Sequence, residues 1–178
     1  LNELQGDVDE MERIVNEFLA FTRGDSGEEF TKIDLKTFAK SMVRDQRRTN
    51  HEVALKFTGL KAEKIELNCR KQSLTRALNN LLSNAERHAE NTRMTLFVSK
   101  KIVSFIIEDD GPGIPKAERE TALQPFERLD SSRNQNKGTG TGLGLAIASD
   151  IAHSHGGKII LSHSLTMAQL KAAIQLPR

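Results

Sequence analysis

The first 22 residues carry apolar side chains at alternating three- and four-residue steps, with polar residues between them. The apolar positions are Leu1, Leu4, Val8, Met11, Val15 and Phe18. This spacing is that of a coiled-coil seam about three heptads long. A single helix cannot bury such a stripe, so the pattern predicts either a helix packed on its own domain or part of a dimerisation bundle. Polar residues and glycines at 23–29 predict a linker.

From residue 30 onward, short apolar runs alternate with longer amphipathic segments. The pattern predicts strands at 30–33, 53–57, 64–67, 94–99, 103–108, 158–162 and 169–176, and helices after the N-cap candidate Asp34, at 71–90 and at 143–155. We expect the strands at 53–57 and 64–67 to form a hairpin that turns near Gly59. Because strands and helices are mixed without βαβ repetition, the predicted fold class is two-layer α+β.

Composition and charge exclude several functional classes. The chain has 178 residues, with 26 Lys and Arg against 24 Asp and Glu, and a net charge of +2. That length allows one full domain with an appendage. The small net charge argues against a nucleic-acid partner, and no apolar run is long enough to span a membrane. The single cysteine, Cys69, excludes an intrachain disulfide and a cysteine-based zinc site, which fits a reducing compartment.

The first candidate functional cluster lies on the predicted helix at 71–90. Asn80 and Asn84 are one helical turn apart, so their amide oxygens can face a hard cation together. Arg87 follows on the same face, where its guanidinium can meet phosphate oxygens. A solvated polar helix face explains the same residues, and the cluster alone does not decide between the two interpretations.

The second cluster follows the apolar strand at 103–108 directly. Gly111 and Gly113 allow close approach of a flat ligand or a positive φ, and Asp110 can accept a hydrogen bond from an exocyclic amine. A Gly-Pro turn that simply ends the strand explains the glycines, but it does not explain adjacent carboxylates.

The third cluster is a glycine-rich loop at 138–144 that leads directly into a predicted helix. Exposed backbone N–H groups and the helix dipole make such a junction suitable for phosphate. No Gly-Lys-Ser/Thr follows, which excludes a Walker A loop, and the absence of a preceding strand excludes a Rossmann turn. The irregular stretch at 109–142 is longer than a simple connection requires, which is typical of a functional segment.

In content and order, these clusters resemble the ATP-binding site of the histidine-kinase branch of the GHKL superfamily, which also contains gyrase B, MutL-type proteins and a heat-shock chaperone. Residues 80–88 resemble the N box, 110–113 the first glycine box, 124–128 the F box that opens the ATP lid, and 140–144 the second glycine box. The resemblance covers nearly all of residues 30–178 and is closest to osmosensing kinases of the EnvZ type. It implies a Bergerat fold, a two-layer α/β sandwich with helices on one face of a mixed sheet.

The resemblance also implies a role for each matching residue, with ATP and Mg²⁺ as the ligands. Asp110 would hydrogen-bond the adenine amino group, and Gly113 would let the base lie against the turn. Asn84 would coordinate Mg²⁺, while Asn80, Arg87 and His88 would line the triphosphate or ribose. The other implied ATP contacts are Gly111, Ile114, Thr139, Gly140, Thr141, Gly142, Leu143, Gly144 and Leu145, the last five through backbone groups that hold phosphate oxygens.

The lid and the catalytic residues follow from the same resemblance. Phe126 would anchor the lid, and Arg128 or Arg133 would reach the γ-phosphate. Asn80, Arg87 and Arg128 are the implied catalytic residues. We expect the polar lid at 127–137 to be mobile without nucleotide.

Asn80 favours phosphoryl transfer over hydrolysis. Hydrolytic members of the superfamily carry a glutamate four residues before the Mg²⁺-binding asparagine, where it acts as general base. The Asn80 amide cannot take up a proton at neutral pH, so the implied reaction is transfer of the γ-phosphoryl group to a histidine. The alternatives are a hydrolytic GHKL ATPase and a non-catalytic module whose bound nucleotide shapes a partner surface.

None of the five histidines lies in the His-Asp/Glu-x-x-x-Pro setting of the family's phosphoacceptor box. His51-Glu52 begins like that box, but a predicted strand without proline follows, so we interpret His51 as a strand-edge residue. We therefore expect residues 1–22 to be the second helix of the dimerisation and histidine-phosphotransfer hairpin, 23–29 a linker and 30–178 the catalytic domain. The chain alone is not expected to autophosphorylate.

The implied partners are the dimerisation helices of the same kinase and a response regulator whose aspartate receives the phosphoryl group. Residues 1–22 could also form a weak homodimer. The implied location is cytoplasmic, as the cytoplasmic part of an inner-membrane sensor kinase.

Overall fold

A computed structural model describes residues 27–47, 51–127, 141–164, 167 and 170–178, together with residues 8, 11, 12, 15, 18 and 19. Its strands are β1 (Thr31–Asp34), β2 (Val53–Gly59), β3 (Glu66–Cys69), β4 (Thr92–Val98), β5 (Ile102–Asp109), β6 (Lys158–His163) and β7 (Leu170–Pro177). Its helices are α1 (Leu35–Arg47), α2 (Lys71–His88) and α3 (Gly144–Ser154), and two 3-10 helices cover Lys116–Glu118 and Thr121–Leu123.

Five of the strands form a mixed sheet in the order β2-β4-β5-β7-β6. β2 runs parallel to β4, and the remaining neighbours are antiparallel. The expected α+β class with a mixed sheet is confirmed. β1 and β3 pair separately as an antiparallel ribbon in which Thr31 lies opposite Cys69.

The expected hairpin between residues 53–57 and 64–67 is wrong. β2 pairs with β4, and β3 pairs with β1. The chain leaves β2 at Gly59, whose φ is +89° and whose missing Cβ would lie 2.0 Å from the carbonyl oxygen of Val98. Leu60 then donates its N–H to the same oxygen at 2.8 Å. The end of β2 is therefore fixed against β4, and the chain does not turn back on itself there.

The hydrophobic core lies between the sheet and the three described α-helices. Alternate residues of the strands face it, including Leu96, Phe105 and Ile174, which are 0–1% exposed. Leu74 and Leu78 contribute the apolar face of α2. Each fully buried side chain of this size contributes about 1.5–3 kcal/mol. This packing holds α2 and α3 on the sheet and thereby positions the polar side chains that they carry.

Asp34 forms the predicted N-cap of α1, where its Oδ1 accepts the Thr37 N–H at 2.8 Å. In the N-terminal stretch, the six described residues are helical, and the apolar ones among them are exposed, from 42% at Phe18 to 65% at Met11. The other residues of the predicted N-terminal helix lie outside the described part of the chain. Among the helices searched in the described part, none is both long and apolar enough to cross a membrane.

Candidate functional site

The helix α2 carries most of the side chains of the candidate site. Its apolar face, with Leu74, Leu78 and Leu82, is fully buried. Asn80, Asn84 and Arg87 lie on a half-buried face of the same helix. Among the described residues, the Asn80 amide nitrogen is buried and has no hydrogen-bond partner. A polar group left in this state favours a site completed by a ligand.

The first glycine cluster packs against the C-terminal end of α2. A Cβ on Gly111 would lie 2.6 Å from the carbonyl oxygen of His88, so only glycine fits there without a shift of the backbone. Gly113 has a φ of +73°, which glycine adopts without strain. The loop that follows β5 is therefore held directly beside the residues of α2 that the sequence predicts to be functional.

The two adjacent carboxylates of this loop have different surroundings. Asp110 is exposed, and its oxygens accept the backbone N–H groups of Glu90 and Asn91, both at 2.9 Å, and the Asn91 side-chain amide at 2.6 Å. Asp109 is 4% exposed, and its Oδ1 accepts the Gly111 N–H at 3.0 Å. Asp110 therefore fixes the start of β4 to the loop, whereas Asp109 is the buried carboxylate.

The pKa directions of these two groups follow from their surroundings. Burial raises the pKa of Asp109 above its ordinary value, and the negative charge of Asp110 adds to this, while the Gly111 hydrogen bond opposes it. Hydrogen bonds from Asn91 and Glu90 lower the pKa of Asp110. A buried carboxylate with a raised pKa, such as Asp109, is a stronger candidate for a functional residue than an exposed turn carboxylate such as Asp110.

Sequence reasoning overlooked Asp109, although the strand pattern contains a signal for it. Val103, Phe105 and Ile107 are core residues at every second position of β5. Because side chains alternate between the faces of a strand, Asp109 lies on the helix side of the sheet, and Asp110 lies one step out of phase. The geometry favours Asp109 over Asp110 as the residue that faces a ligand held on α2.

The second glycine cluster lies against the middle of α2. A Cβ on Gly144, the first residue of α3, would contact the Asn80 side chain at 3.7 Å. Leu143 precedes α3 without a side-chain cap, and the first turn of α3 contains no acidic residue. The N-terminus of α3, where helical N–H groups lack intrahelical partners, is thus placed next to Asn80.

The F box is joined to this second cluster through the backbone. Phe126 donates its N–H to the carbonyl oxygen of Gly142 at 3.1 Å. Both residues have positive φ, +66° for Phe126 and +72° for Gly142. The Phe126 ring is 55% exposed and lies 6.1 Å from the ring of Phe18 in the N-terminal stretch.

Of the predicted residues that it describes, the structure brings Gly111 beside His88 and Gly144 beside Asn80. Thr141, Leu143 and Leu145 surround the start of α3, and Ile114 is half-buried in the first glycine loop. Arg128, Arg133, Thr139 and Gly140 lie outside the described residues, as does the predicted lid beyond residue 127. An open groove of about 430 Å³ follows α2 as far as the site and is lined by Lys71, Gln72, Thr75, Arg76, Asn79 and Asn80.

Comparison with known proteins identifies the family. A family model described as histidine kinase-, DNA gyrase B- and HSP90-like ATPase matches residues 69–176, which include α2 and both glycine clusters. The chain belongs to this family. The expected kinship with the GHKL histidine kinases is thus confirmed, and the matched domain is the ATP-binding domain of that family.

Individual relatives within the family are sensor kinases. The sensor histidine kinase GtrS of Pseudomonas aeruginosa is 35% identical over 106 residues, which are 60% of this chain and 21% of GtrS. The sensor protein RstB of Escherichia coli K12 is 34% identical over 137 residues, 74% of this chain and 31% of RstB. The chain therefore spans about a third or less of the length of these curated relatives.

A solved structure supports the fold assignment independently. The NMR structure of the histidine kinase domain of the Escherichia coli osmosensor EnvZ superposes with a TM-score of 0.62 at 30% identity. The match covers 84% of this chain and 88% of the EnvZ domain. The expected two-layer architecture and the expected relation to EnvZ-type kinases are confirmed.

Proposed function

We propose that residues 30–178 bind Mg²⁺-ATP and, within a longer sensor kinase, transfer the γ-phosphoryl group to a histidine of a dimerisation helix, for relay to an aspartate of a response regulator. The observation that carries this proposal is the convergence of both glycine clusters on α2, one at His88 and the other at Asn80. Family membership supports the use of a nucleotide. The transfer reaction and its partners belong to the longer protein.

Different residues bind different parts of the nucleotide. Asp109, in place of the expected Asp110, accepts a hydrogen bond from the adenine amino group. Asp109 is buried beside α2, whereas the Asp110 oxygens already accept hydrogen bonds from Glu90 and Asn91. The N–H groups at the start of α3 donate hydrogen bonds to phosphate oxygens. Asn80 and Arg87 line the path between the adenine and phosphate ends.

The side chain of Asn84 fits the expected magnesium ion. Its amide supplies the hard oxygen ligand that Mg²⁺ takes, and it is half-buried one helical turn after Asn80. Phosphate oxygens and water would complete the coordination. When bound, Mg²⁺ would neutralise charge on the phosphates. The chain's own contribution is to orient the nucleotide.

Asn80 favours transfer over hydrolysis. It lies one turn before Asn84, where a general base would have to stand, and an amide does not accept a proton at neutral pH. Its neighbour across the site is the glycine at the start of α3 and not a carboxylate. Water near the γ-phosphate is therefore not activated from this position.

The experiment that tests this function supplies the acceptor separately. The chain is mixed with γ-labelled ATP, Mg²⁺ and an acceptor hairpin from a family member that contains the phosphoacceptor histidine. We expect base-stable, acid-labile label on the hairpin, and none on the chain when it is incubated alone. In the same assay, the variant Asn84→Ala should lower the rate of labelling at least about tenfold, since it removes the proposed Mg²⁺ ligand.

The same experiment separates the two alternatives. Steady release of inorganic phosphate without an acceptor would indicate a hydrolytic ATPase and would contradict the argument from Asn80. Nucleotide binding without labelling of any hairpin, including one fused to this chain, would indicate a non-catalytic module.

The exposed apolar residues Val8, Met11 and Val15 support the proposal that the N-terminal stretch belongs to a helical dimerisation hairpin.

A further inference from the structure

The N-terminus of α2 is capped by a residue from outside the helix. Arg70 occupies the N-cap position, and its side chain makes no capping hydrogen bond. The carboxylate of Glu28 takes that place, accepting the N–H groups of Gln72 at 2.6 Å and Ser73 at 2.9 Å. The Ser73 hydroxyl donates to the same carboxylate at 2.7 Å. Glu28 thus satisfies the N–H groups that a cap residue normally satisfies, from a segment 42 residues before Arg70.

Further contacts hold the segment around Glu28 in this position. The Arg70 guanidinium donates to the Glu28 carbonyl oxygen at 3.0 Å and lies 4.4 Å from the centre of the Phe30 ring. The Phe30 ring also packs beside the His155 imidazole at 5.4 Å. Cys69 precedes Arg70 in the chain, and its pKa is raised to about 11 by burial and secondarily by the charge of Glu28. The segment is thus held by the Glu28 carbonyl oxygen, the Phe30 ring and the Glu28 carboxylate.

His155 ties the same junction to α3. Its Nε2 accepts the Arg70 backbone N–H at 3.0 Å, and its Nδ1 lies 2.7 Å from the Ile151 carbonyl oxygen. Since a carbonyl oxygen only accepts and a backbone N–H only donates, these two bonds fix the neutral imidazole with its proton on Nδ1. The residue before α2 is therefore bonded to the residue after α3.

These contacts place the junction at the far end of the two helices that form the site. The start of α3 faces Asn80 in the middle of α2, and the end of α3 meets the start of α2, so the helices run antiparallel. The segment at Glu28 holds both helices at one end, and the nucleotide is proposed to join them at the other. A change at one end of the helix pair can therefore reach the other end through α2 and α3.

We propose that Glu28 is a positioning residue that couples docking of the linker to the nucleotide site by capping α2, the helix that carries Asn80 and Asn84. The inference rests on the proposed nucleotide binding. Glu28 lies in the segment that would connect the dimerisation helix to the catalytic domain. Undocking of the linker removes the cap from α2 and weakens nucleotide binding, and by reciprocity nucleotide binding strengthens docking.

The test compares this chain with three variants by calorimetric titration with a non-hydrolysable ATP analogue and Mg²⁺. Glu28→Ala removes the cap, and Glu29→Ala is the matched control, since it removes the same charge from the exposed neighbouring residue. The double variant Glu28→Ala with Arg70→Asp gives α2 a carboxylate at its own N-cap, where the extended backbone suits a capping residue.

We expect Glu28→Ala to weaken the affinity about three- to tenfold, the size of a lost cap, while Glu29→Ala changes it less than about twofold. The double variant should recover most of the affinity. Amide exchange gives the second measurement. The nucleotide should slow exchange at Gln72 and Ser73 in the native chain and in Glu29→Ala, but not in Glu28→Ala.

The outcomes separate the two proposals. Failure of the native chain to bind nucleotide overturns the proposed function itself. Native binding with unchanged affinity in Glu28→Ala, or with no response of the Gln72 and Ser73 amides to nucleotide, assigns Glu28 to stability alone and overturns the coupling. If Glu28→Ala does not fold, Glu28→Gln keeps one acceptor oxygen and should show a smaller loss in both measurements, and no loss in either again overturns the coupling.

Discussion

Two neighbouring aspartates at the end of β5 have different surroundings, and we propose a structural role for Asp110 and a binding role for Asp109. Asp110 is exposed and holds the start of β4, and Asp109 is buried next to α2. Burial keeps the pKa of Asp109 above its ordinary value, so the folded domain bears a cost for keeping this side chain ionised. Such a cost is typical of a group retained for binding a ligand and not for stability.

This cost predicts that Asp109→Asn stabilises the ligand-free domain at pH 7. The folded state holds the Asp109 proton more tightly than the unfolded state, so stability falls as pH rises from the ordinary pKa of 3.8 through the raised folded value, and the full penalty remains above it. Asparagine removes the penalty and can still accept the Gly111 N–H. Calorimetric melting should give a higher Tm for the variant at pH 7, with the difference shrinking toward pH 4. A lower Tm at pH 7 would contradict this.

The junction between Phe126 and the second glycine cluster depends on one glycine. A Cβ on Gly142 would lie 2.9 Å from the Glu127 carbonyl oxygen, and its φ is +72°. Gly142→Ala should therefore lower the free energy of unfolding by about 1–3 kcal/mol. Gly144→Ala is the matched control, because its Cβ would meet Asn80 only at an ordinary contact distance of 3.7 Å and should cost less than about 0.5 kcal/mol. Urea unfolding of both variants measures the difference, and equal losses would contradict the strained turn.

At the scale of elements, a buried polar chain joins α1 to the sheet. His51 is 7% exposed, with its Nε2 3.0 Å from the Thr92 hydroxyl and its Nδ1 3.3 Å from the Gln46 side-chain oxygen. Thr92 begins β4 opposite Asp109, and Gln46 lies in the last turn of α1. Both ring nitrogens of His51 are engaged inside the protein, which fits a structural residue and not an exposed phosphoacceptor.

The position of His51 predicts how a variant behaves. His51→Ala leaves Thr92 without its buried partner, so the free energy of unfolding should fall by about 1–3 kcal/mol. The nucleotide affinity and the phosphorylation of a separate acceptor hairpin should stay within about twofold, because His51 does not line the site. Loss of labelling with unchanged nucleotide affinity and folding would instead assign His51 a part in the transfer.

Local patterns predicted most of the elements but not how they pair. The helices α2 and α3 and the strands β4 to β7 begin and end within a few residues of their predicted limits, because their periodicity and their glycine stops are local. The predicted partner of β2 was wrong. The observed pairing depends on the fit of Gly59 against Val98, and neither segment alone indicates this contact. The cap on α2 was missed for the same reason, since Glu28 is remote from it in sequence.

Local patterns were also insufficient to choose between neighbouring residues of the candidate site. The order of the motifs identified the family, because each motif is short and contiguous. It did not distinguish Asp109 from Asp110, which are chemically identical. Only the phase of β5, with Phe105 and Ile107 in the core, separates them.

At the scale of the whole molecule, the fold brings distant segments onto one helix. The loop after β5, the F box and the start of α3 are far apart in the chain, yet Gly111 contacts the end of α2 and Gly144 contacts its middle. We propose that this arrangement is a single Mg²⁺-dependent site for adenine nucleotide. It predicts that removing the buried carboxylate at one end disables binding, while removing its exposed neighbour does not.

Calorimetric titration of the native chain, Asp109→Asn and Asp110→Asn with ATP, in Mg²⁺ and in EDTA, tests this claim most directly. We predict one site that binds more weakly in EDTA and loses at least about tenfold in affinity in Asp109→Asn, because a hydrogen bond to a charged group contributes about 1.5–3 kcal/mol. Asp110→Asn should stay within about threefold of the native chain. Absence of binding in the native chain, or equal affinity in the native chain and Asp109→Asn, would contradict it.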